Sequence, residues 1–234
     1  ALCAPLIAVE GMGSPRVEQC AAEALEACGK LGDARGRFAA HRVLWNNSLM
    51  RYPVAPTLRH AKELMAQAKA SGDAVELALA HRALGCSYIY VGRFERAAAL
   101  LERGAALADA SADAGFHAYD EHPGMVCRSF CAWPKAFMGL RDQAVRLSDE
   151  AIEHARRRDE PNGLAFALVT AGLVDLFHRD AGRAAAVARE VGALAGQYRL
   201  AQWIAFAHEI DGWVAFAAGD HARGIALMGQ ALER

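Results

Sequence analysis

Four side chains in the middle of the chain are of types that hold a metal: His117, His122, Cys127 and Cys131. Thiolates and imidazoles are good zinc ligands. Cys127 and Cys131 stand four residues apart and share one face if the segment is helical. Their spacing with the histidines matches no standard zinc pattern, and cysteine in an apolar helix packs as a small hydrophobe. No metal and no cofactor is therefore expected. Other catalytic signatures break off where the chemistry needs them. Gly29-Lys30 is followed by Leu31 and lacks the upstream glycine of a phosphate loop, and Gly11-Met12-Gly13-Ser14 lacks the third glycine of a dinucleotide fingerprint. His208-Glu209 is followed by Gly212 where a zinc protease has its second histidine, and Ser14 is not flanked as a nucleophile elbow requires. Arg156-Arg157-Arg158 reads as a solvated helix end, where cations complement the helix dipole. The expectation is a chain that is not an enzyme.

The elements behind these residues are legible from composition and period. The 234 residues are 54% hydrophobic and 23% charged, ample for a packed core. Lys plus Arg number 26 against 27 Asp plus Glu, a net charge of -1, which argues against a nucleic-acid binder and against a polybasic membrane anchor. The longest nearly uncharged apolar run, Gly163 to Val174, is shorter than the roughly 20 residues a membrane span needs. Six cysteines without a regular pattern suggest reduced thiols and a cytoplasmic location. The first residue is Ala, no basic leader precedes the apolar start, and the chain reads as part of a longer protein. Apolar residues recur at three- and four-residue spacings, as in Val17, Cys20, Ala21, Ala24, Leu25 and Cys28. Eleven such blocks run from 17–29 to 221–233, separated by Gly, Asp or Pro breaks. The fold class is all-α. Residues 1–16 read as an N-terminal linker segment, and 17–234 as one repeat domain.

The repeat is carried by small residues. Leu84-Gly85-x-x-Tyr88 followed by Gly92-x-Phe94-x-x-Ala97-x-x-x-Leu101 is close to the tetratricopeptide signature. Gly85 and Ala97 let two helices approach, Tyr88 and Leu101 fill either side, and Gly92 permits the tight turn. The small residue recurs at Ala61, Ala97, Ala144, Ala184 and Gly224, and its counterpart in the preceding helix at Gly85, Ala132, Gly172 and Gly212. The expected architecture is a right-handed α-solenoid of about five helix pairs with one further helix at the N-terminus.

One stretch is more specific. His122-Pro123-Gly124, then Gln143-Ala144, Glu150-Ala151-Ile152 and Pro161-x-x-Leu164-Ala165-Phe166-Ala167-Leu168, resembles the C-terminal tetratricopeptide region of bacterial multidomain signalling ATPases. In that family a class III nucleotide cyclase or a winged-helix domain precedes a P-loop ATPase, and the solenoid closes the chain. The family's Asp-Pro-Gly has His122 in place of the Asp, and its Pro-x-Ser-Leu has Gly163 in place of the Ser. The resemblance spans essentially the whole chain, is strongest over 120–170 and is poor over 1–16. It implies a non-catalytic sensor or scaffold arm, because the cyclase and ATPase residues belong to the other domains.

In a hairpin solenoid the first helix of each pair lines the concave face, which usually binds the ligand. Counting back from equivalent turns gives one row of Trp45, Cys86, Trp133, Leu173 and Trp213, and a neighbouring row of His41, Arg82, Ser129, Val169 and Glu209. The candidate partner groove is accordingly Trp45, Arg82, Cys86, Ser129, Trp133, Leu173, Glu209 and Trp213. Two readings stay open, since the tryptophans either pack between helices or stand exposed in an aromatic groove. An exposed row would take a protein segment (a partner or other domains of the parent chain), a small-molecule effector, a second copy in a homodimer, or the chain's own apolar start at Leu2, Leu6, Ile7 and Val9. The connection from Asp109 to His122, with Asp113, Phe116, His117, Tyr119, Asp120 and Glu121, is longer than a hairpin needs. It reads as a surface loop or as a further contact for a partner.

Overall fold

A computed structural model describes residues 3–51, 54–111 and 122–232. The described residues form twelve helices and no strand. The chain divides into two compact units, Ala1–Gly115 and Phe116–Arg234. The first holds α1 (Cys3–Glu10), α2 (Pro15–Leu31), α3 (Ala34–Arg51), α4 (Val54–Ser71), α5 (Ala74–Ile89) and α6 (Phe94–Ala110). The second holds α7 (Pro123–Phe137), α8 (Arg141–Arg158), α9 (Pro161–Phe177), α10 (Ala181–Tyr198), α11 (Ala201–Ala217) and α12 (His221–Leu232). Eleven of these coincide with the apolar blocks of the sequence. The twelfth, α1, lies in the segment read as a linker and packs on α2. The long connection read between Asp109 and His122, as a surface loop or a partner contact, falls largely outside the described residues, as do His117 and Leu2.

The helix ends follow local chemistry. Ser14 caps α2 through its hydroxyl, with Pro15 next, and Asp73 accepts from the amides of Val75 and Glu76 at the start of α5. His122 caps α7, its Nδ1 accepting from the Gly124 amide at 3.2 Å. The turns inside the pairs share one geometry. The amides of Arg93, Leu140, Asp180 and Asp220 each donate to the carbonyl five residues back, on Tyr88, Lys135, Asp175 and Ala215. The residue before each is left-handed: Gly92, Gly139 and Gly219, but Arg179 at φ 55° in the fourth. This common turn fixes the equivalence of α7–α8, α9–α10 and α11–α12 at a 40-residue spacing, visible in residues 139, 179 and 219.

Within each unit consecutive helices pack on one another, and the first helices of successive pairs also meet: α3 with α5, α7 with α9, α9 with α11. The small-residue crossings are as tight as the signature requires. Ala61, Ala97, Ala144 and Ala184 are fully buried. A Cβ on Gly85 would lie 2.6 Å from Leu101 Cγ, and one on Gly172 would lie 2.7 Å from Ile210 Cδ1. A Cβ on Gly224 would meet backbone, 2.8 Å from the Gly212 carbonyl oxygen. Backbone cannot swing aside as a side chain can, so Gly224→Ala should lower the stability measured by urea unfolding by about 2–3 kcal/mol. Gly196, in α10, has open space where a Cβ would sit. Gly196→Ala should instead raise stability by up to about 1 kcal/mol through helix propensity.

Candidate functional site

The expected groove residues lie on α3 and α5 of the first unit and on α7, α9 and α11 of the second. In the first unit Trp45 is only 1% exposed. Its Nε1 donates to Ser87 Oγ at 3.0 Å, and Ser87 in turn donates to the Ala83 carbonyl, so the indole ties α3 to α5. Arg82 is half-buried with its guanidinium carbon 5.8 Å from the centre of the Trp45 ring, within cation–π range. Cys86 is buried beside them in the sequence of α5. The structure thus brings Trp45 and Arg82 together, with Ser87 as a third member that the rows did not contain. A cavity of about 230 Å³ opens next to Ser87, lined also by Leu49, Val54, Thr57 and Tyr90.

In the second unit the row is graded in exposure. Ser129 is buried with its hydroxyl on Met125 Sδ, Trp133 and Leu173 are half-buried, Trp213 is half-buried, and Glu209 is exposed. Trp133 packs on Ala132, Ala144 and Val174 and donates its Nε1 to the Thr170 carbonyl of α9 at 3.2 Å. Trp133 and Trp213 share no ring contact. The aromatic continuity runs through residues outside the row. Trp133 meets Phe130 at 5.4 Å between ring centres, Phe130 meets Phe166 at 5.6 Å, Phe166 meets Trp203 at 6.1 Å, and Trp203 meets Phe206 at 5.7 Å. The first three are edge-to-face contacts, the arrangement that ring quadrupoles favour. Trp203 also donates its Nε1 to Asn162 Oδ1 at 2.7 Å, tying α11 to α9. The signal for this ladder was present in the sequence: Phe166 and Phe206 are separated by the same 40 residues as the turns.

Two histidine pairs, in which His41, His60 and His122 are buried and His154 half-buried, supply the electrostatics. His41 and His60 face each other with their Nδ1 atoms 3.1 Å apart, so one ring donates and the other accepts. Burial, reinforced by His41, holds His60 down to about 4. His122 and His154 lie with ring centres 4.5 Å apart, and burial followed by the nearness of His122 lowers His154 to about 4. Cys127 and Cys131 are buried close behind in α7. Among the described residues no three His, Cys, Asp or Glu side chains converge to hold a metal ion. Burial raises Asp175 above the ordinary carboxyl range, against the opposing pull of Arg183, whose Nε donates to Asp175 Oδ1 at 3.0 Å and whose Nη2 reaches Asp149.

These geometries generate two expectations. Trp45→Ala should cost about 3–5 kcal/mol in urea unfolding, whereas Trp213→Ala, at a half-exposed position, should cost about 1–2 kcal/mol. The folded state keeps His60 and His154 neutral, while the unfolded chain binds protons near the ordinary histidine value of 6.5. Stability is therefore complete above about pH 6.5 and is lost as the pH falls toward 4. The unfolding free energy measured in urea should drop over that window by about 1–2 kcal/mol per imidazole, allowing for solvent screening. His60→Gln, which keeps an acceptor for His41, should flatten the fall.

No protein-family model matches the chain. No curated protein matches it either. Solved structures do. The chain is similar to the crystal structure of BtubC (BKLC) from P. vanneervenii, with a TM-score of 0.67 at 17% identity over 92% of this chain and 88% of that one. A signal transduction ATPase with numerous domains and a tetratricopeptide repeat sensor, from Pyrococcus horikoshii, aligns with a TM-score of 0.60 at 16% identity, covering 98% of this chain. The chain spans about a third of that ATPase, 34% of its length. Tetratricopeptide-like repeats of a Podosopora anserina kinesin light chain align with a TM-score of 0.59 at 14% identity, over 84% of this chain and 93% of that one. At these identities the likeness is one of fold: a tetratricopeptide-like helical-repeat protein.

Proposed function

We propose that the chain is a non-catalytic protein-interaction module, the sensor or scaffold arm of a larger bacterial signalling ATPase. The observation that carries this reading is the graded face of α7, α9 and α11. It presents half-buried indoles at Trp133 and Trp213 and a carboxylate at Glu209. Aromatic anchors with a few placed polar groups suit recognition of a peptide segment or of another domain. The similarity to the repeat sensor of a signalling ATPase adds support from an independent direction. Repeat modules suit such coupling because each repeat touches only its neighbours, so a ligand spanning several repeats shifts their curvature. No described helix is long and apolar enough to cross a membrane.

The experiment is native mass spectrometry of the purified chain, alone and with the ATPase domain of its parent protein. The expected result is a bare monomer that acquires the ATPase domain. Trp213→Ala combined with Glu209→Gln should weaken that association about tenfold, the order expected for losing one interface anchor. A small organic molecule retained by the chain alone, and lost in the same double variant, would favour an effector receptor instead. Association unchanged in the double variant would remove this face from the reading.

A further inference from the structure

Among the six cysteines one pair is placed to react. Cys86, Cys127 and Cys131 are buried, whereas Cys3, Cys20 and Cys28 are half-buried. Cys3 Sγ lies 3.3 Å from Cys20 Sγ, one thiol donating to the other across 17 residues of chain. Cys28 does not compete for this contact. It stands two turns beyond Cys20 on α2, about 12 Å along the axis, and its thiol turns to Asp33 Oδ2 at 3.9 Å.

The turn between α1 and α2 builds the contact. Gly11 takes the left-handed conformation at φ 82°, and its amide donates to the Ile7 carbonyl to end α1. Ser14 then opens α2, accepting from the Arg16 amide and donating its hydroxyl to Glu10 Oε2 at 2.7 Å. Glu10 also pairs with the Arg16 guanidinium. Asn47 of α3 is 1% exposed and clamps the turn, its Nδ2 donating to the carbonyls of Met12 and Ser14 at 2.8 and 2.9 Å. These bonds fold α1 back along α2. Cys3 precedes Glu10 by about 10 Å of helix and Cys20 follows Ser14 by about 9 Å. The matched lengths bring the two sulfurs side by side at the end of the hairpin away from its turn.

We propose that Cys3 and Cys20 are a reversible redox site, joined on oxidation by a disulfide that latches α1 to α2. The oxidant is a low-molecular-weight disulfide. One protein thiolate attacks a sulfur of that disulfide, breaks its S–S bond and expels one small thiolate, which leaves a mixed disulfide on the protein. The second cysteine, deprotonated in turn, attacks the protein sulfur of the mixed disulfide, forms the Cys3–Cys20 bond and expels the second small thiolate. The cysteine pair loses two electrons and two protons, and the small disulfide takes up both as two thiols. In the dithiol state the hairpin opens about its turn. In the disulfide state a ring through residues 3–20 holds the half-buried Leu6 and Ile7 in place, because the opened chain has lost the freedom that favoured it. The latch does not depend on the signalling reading.

The test treats the full chain with oxidised glutathione and then blocks the remaining thiols with N-ethylmaleimide. Non-reducing peptide mapping should join the fragment holding Cys3 to the fragment holding Cys20 within a monomer. The link should form in the parent chain and in Cys28→Ser, and in neither Cys3→Ser nor Cys20→Ser. Hydrogen exchange at the amides of Ile7 to Glu10 should slow at least about tenfold between the dithiothreitol-reduced and the oxidised parent chain. It should not change between the same two conditions in Cys20→Ser. Each protein is compared with itself, so a loss of stability in a variant does not imitate the result. Both thiols left free, glutathione retained on either as a stable mixed disulfide, or a link between two chains each overturns the proposal. So does an intramolecular link that leaves the exchange of α1 unchanged, since the bond would then latch nothing.

Discussion

The rest of the structure depends on one steric constraint, the contact of two helices at a position where neither carries more than a methyl group. At Gly85 against Ala97 and Leu101, and at Gly212 against Gly224, the space for a single added Cβ is already filled. So close an approach brings the ridges of one helix into the grooves of the next and leaves little freedom in the crossing. The turns then follow. Each pair closes through the same amide-to-carbonyl bond across five residues, even where the left-handed residue is Arg179 rather than glycine. A non-glycine residue there costs on the order of 1 kcal/mol, which packing at the crossing offsets.

Once the pairs are fixed, the first helix of each pair stands beside the first helix of the next within its unit, and the large aromatic residues work across that seam. Trp45 to Ser87, Trp133 to the Thr170 carbonyl and Trp203 to Asn162 are the same device built from different acceptors. An indole suits it because one end is broad and apolar while the other must find an acceptor when buried. Each tryptophan therefore orients two successive repeats. The aromatic ladder from Trp133 to Phe206, edge-to-face as far as Trp203, is the continuous form of the same contact and gives the second unit an apolar spine.

That arrangement leaves the aromatic side chains of the second unit at different depths. Half-buried indoles at Trp133 and Trp213 stand on α7 and α11 of the second unit. The far end of the ladder is Phe206, which is 37% exposed. The histidine pairs work within a helix pair rather than between repeats. They sit between the two helices of a pair, where neutral rings complete the core and where protonation would leave two donors facing each other.

The sequence by itself determined the helices and their pairing. Apolar periodicity placed eleven of them, and small residues at Ala61, Ala97, Ala144, Ala184 and Gly224 identified the crossings, because packing this close tolerates few residue types. α1 escaped because its apolar residues run on without a helical period. The tertiary structure alone decided which side of each helix a tryptophan serves. Trp45 and Trp133 occupy equivalent positions in the sequence row, yet one is enclosed and the other half-open, since exposure depends on what the neighbouring repeat sets against it. The partners of these side chains were likewise beyond one-dimensional reading. Ser87, Thr170 and Asn162 lie some 37 to 42 residues from the indoles they receive, and only the packing of one repeat on another brings a donor and its acceptor together.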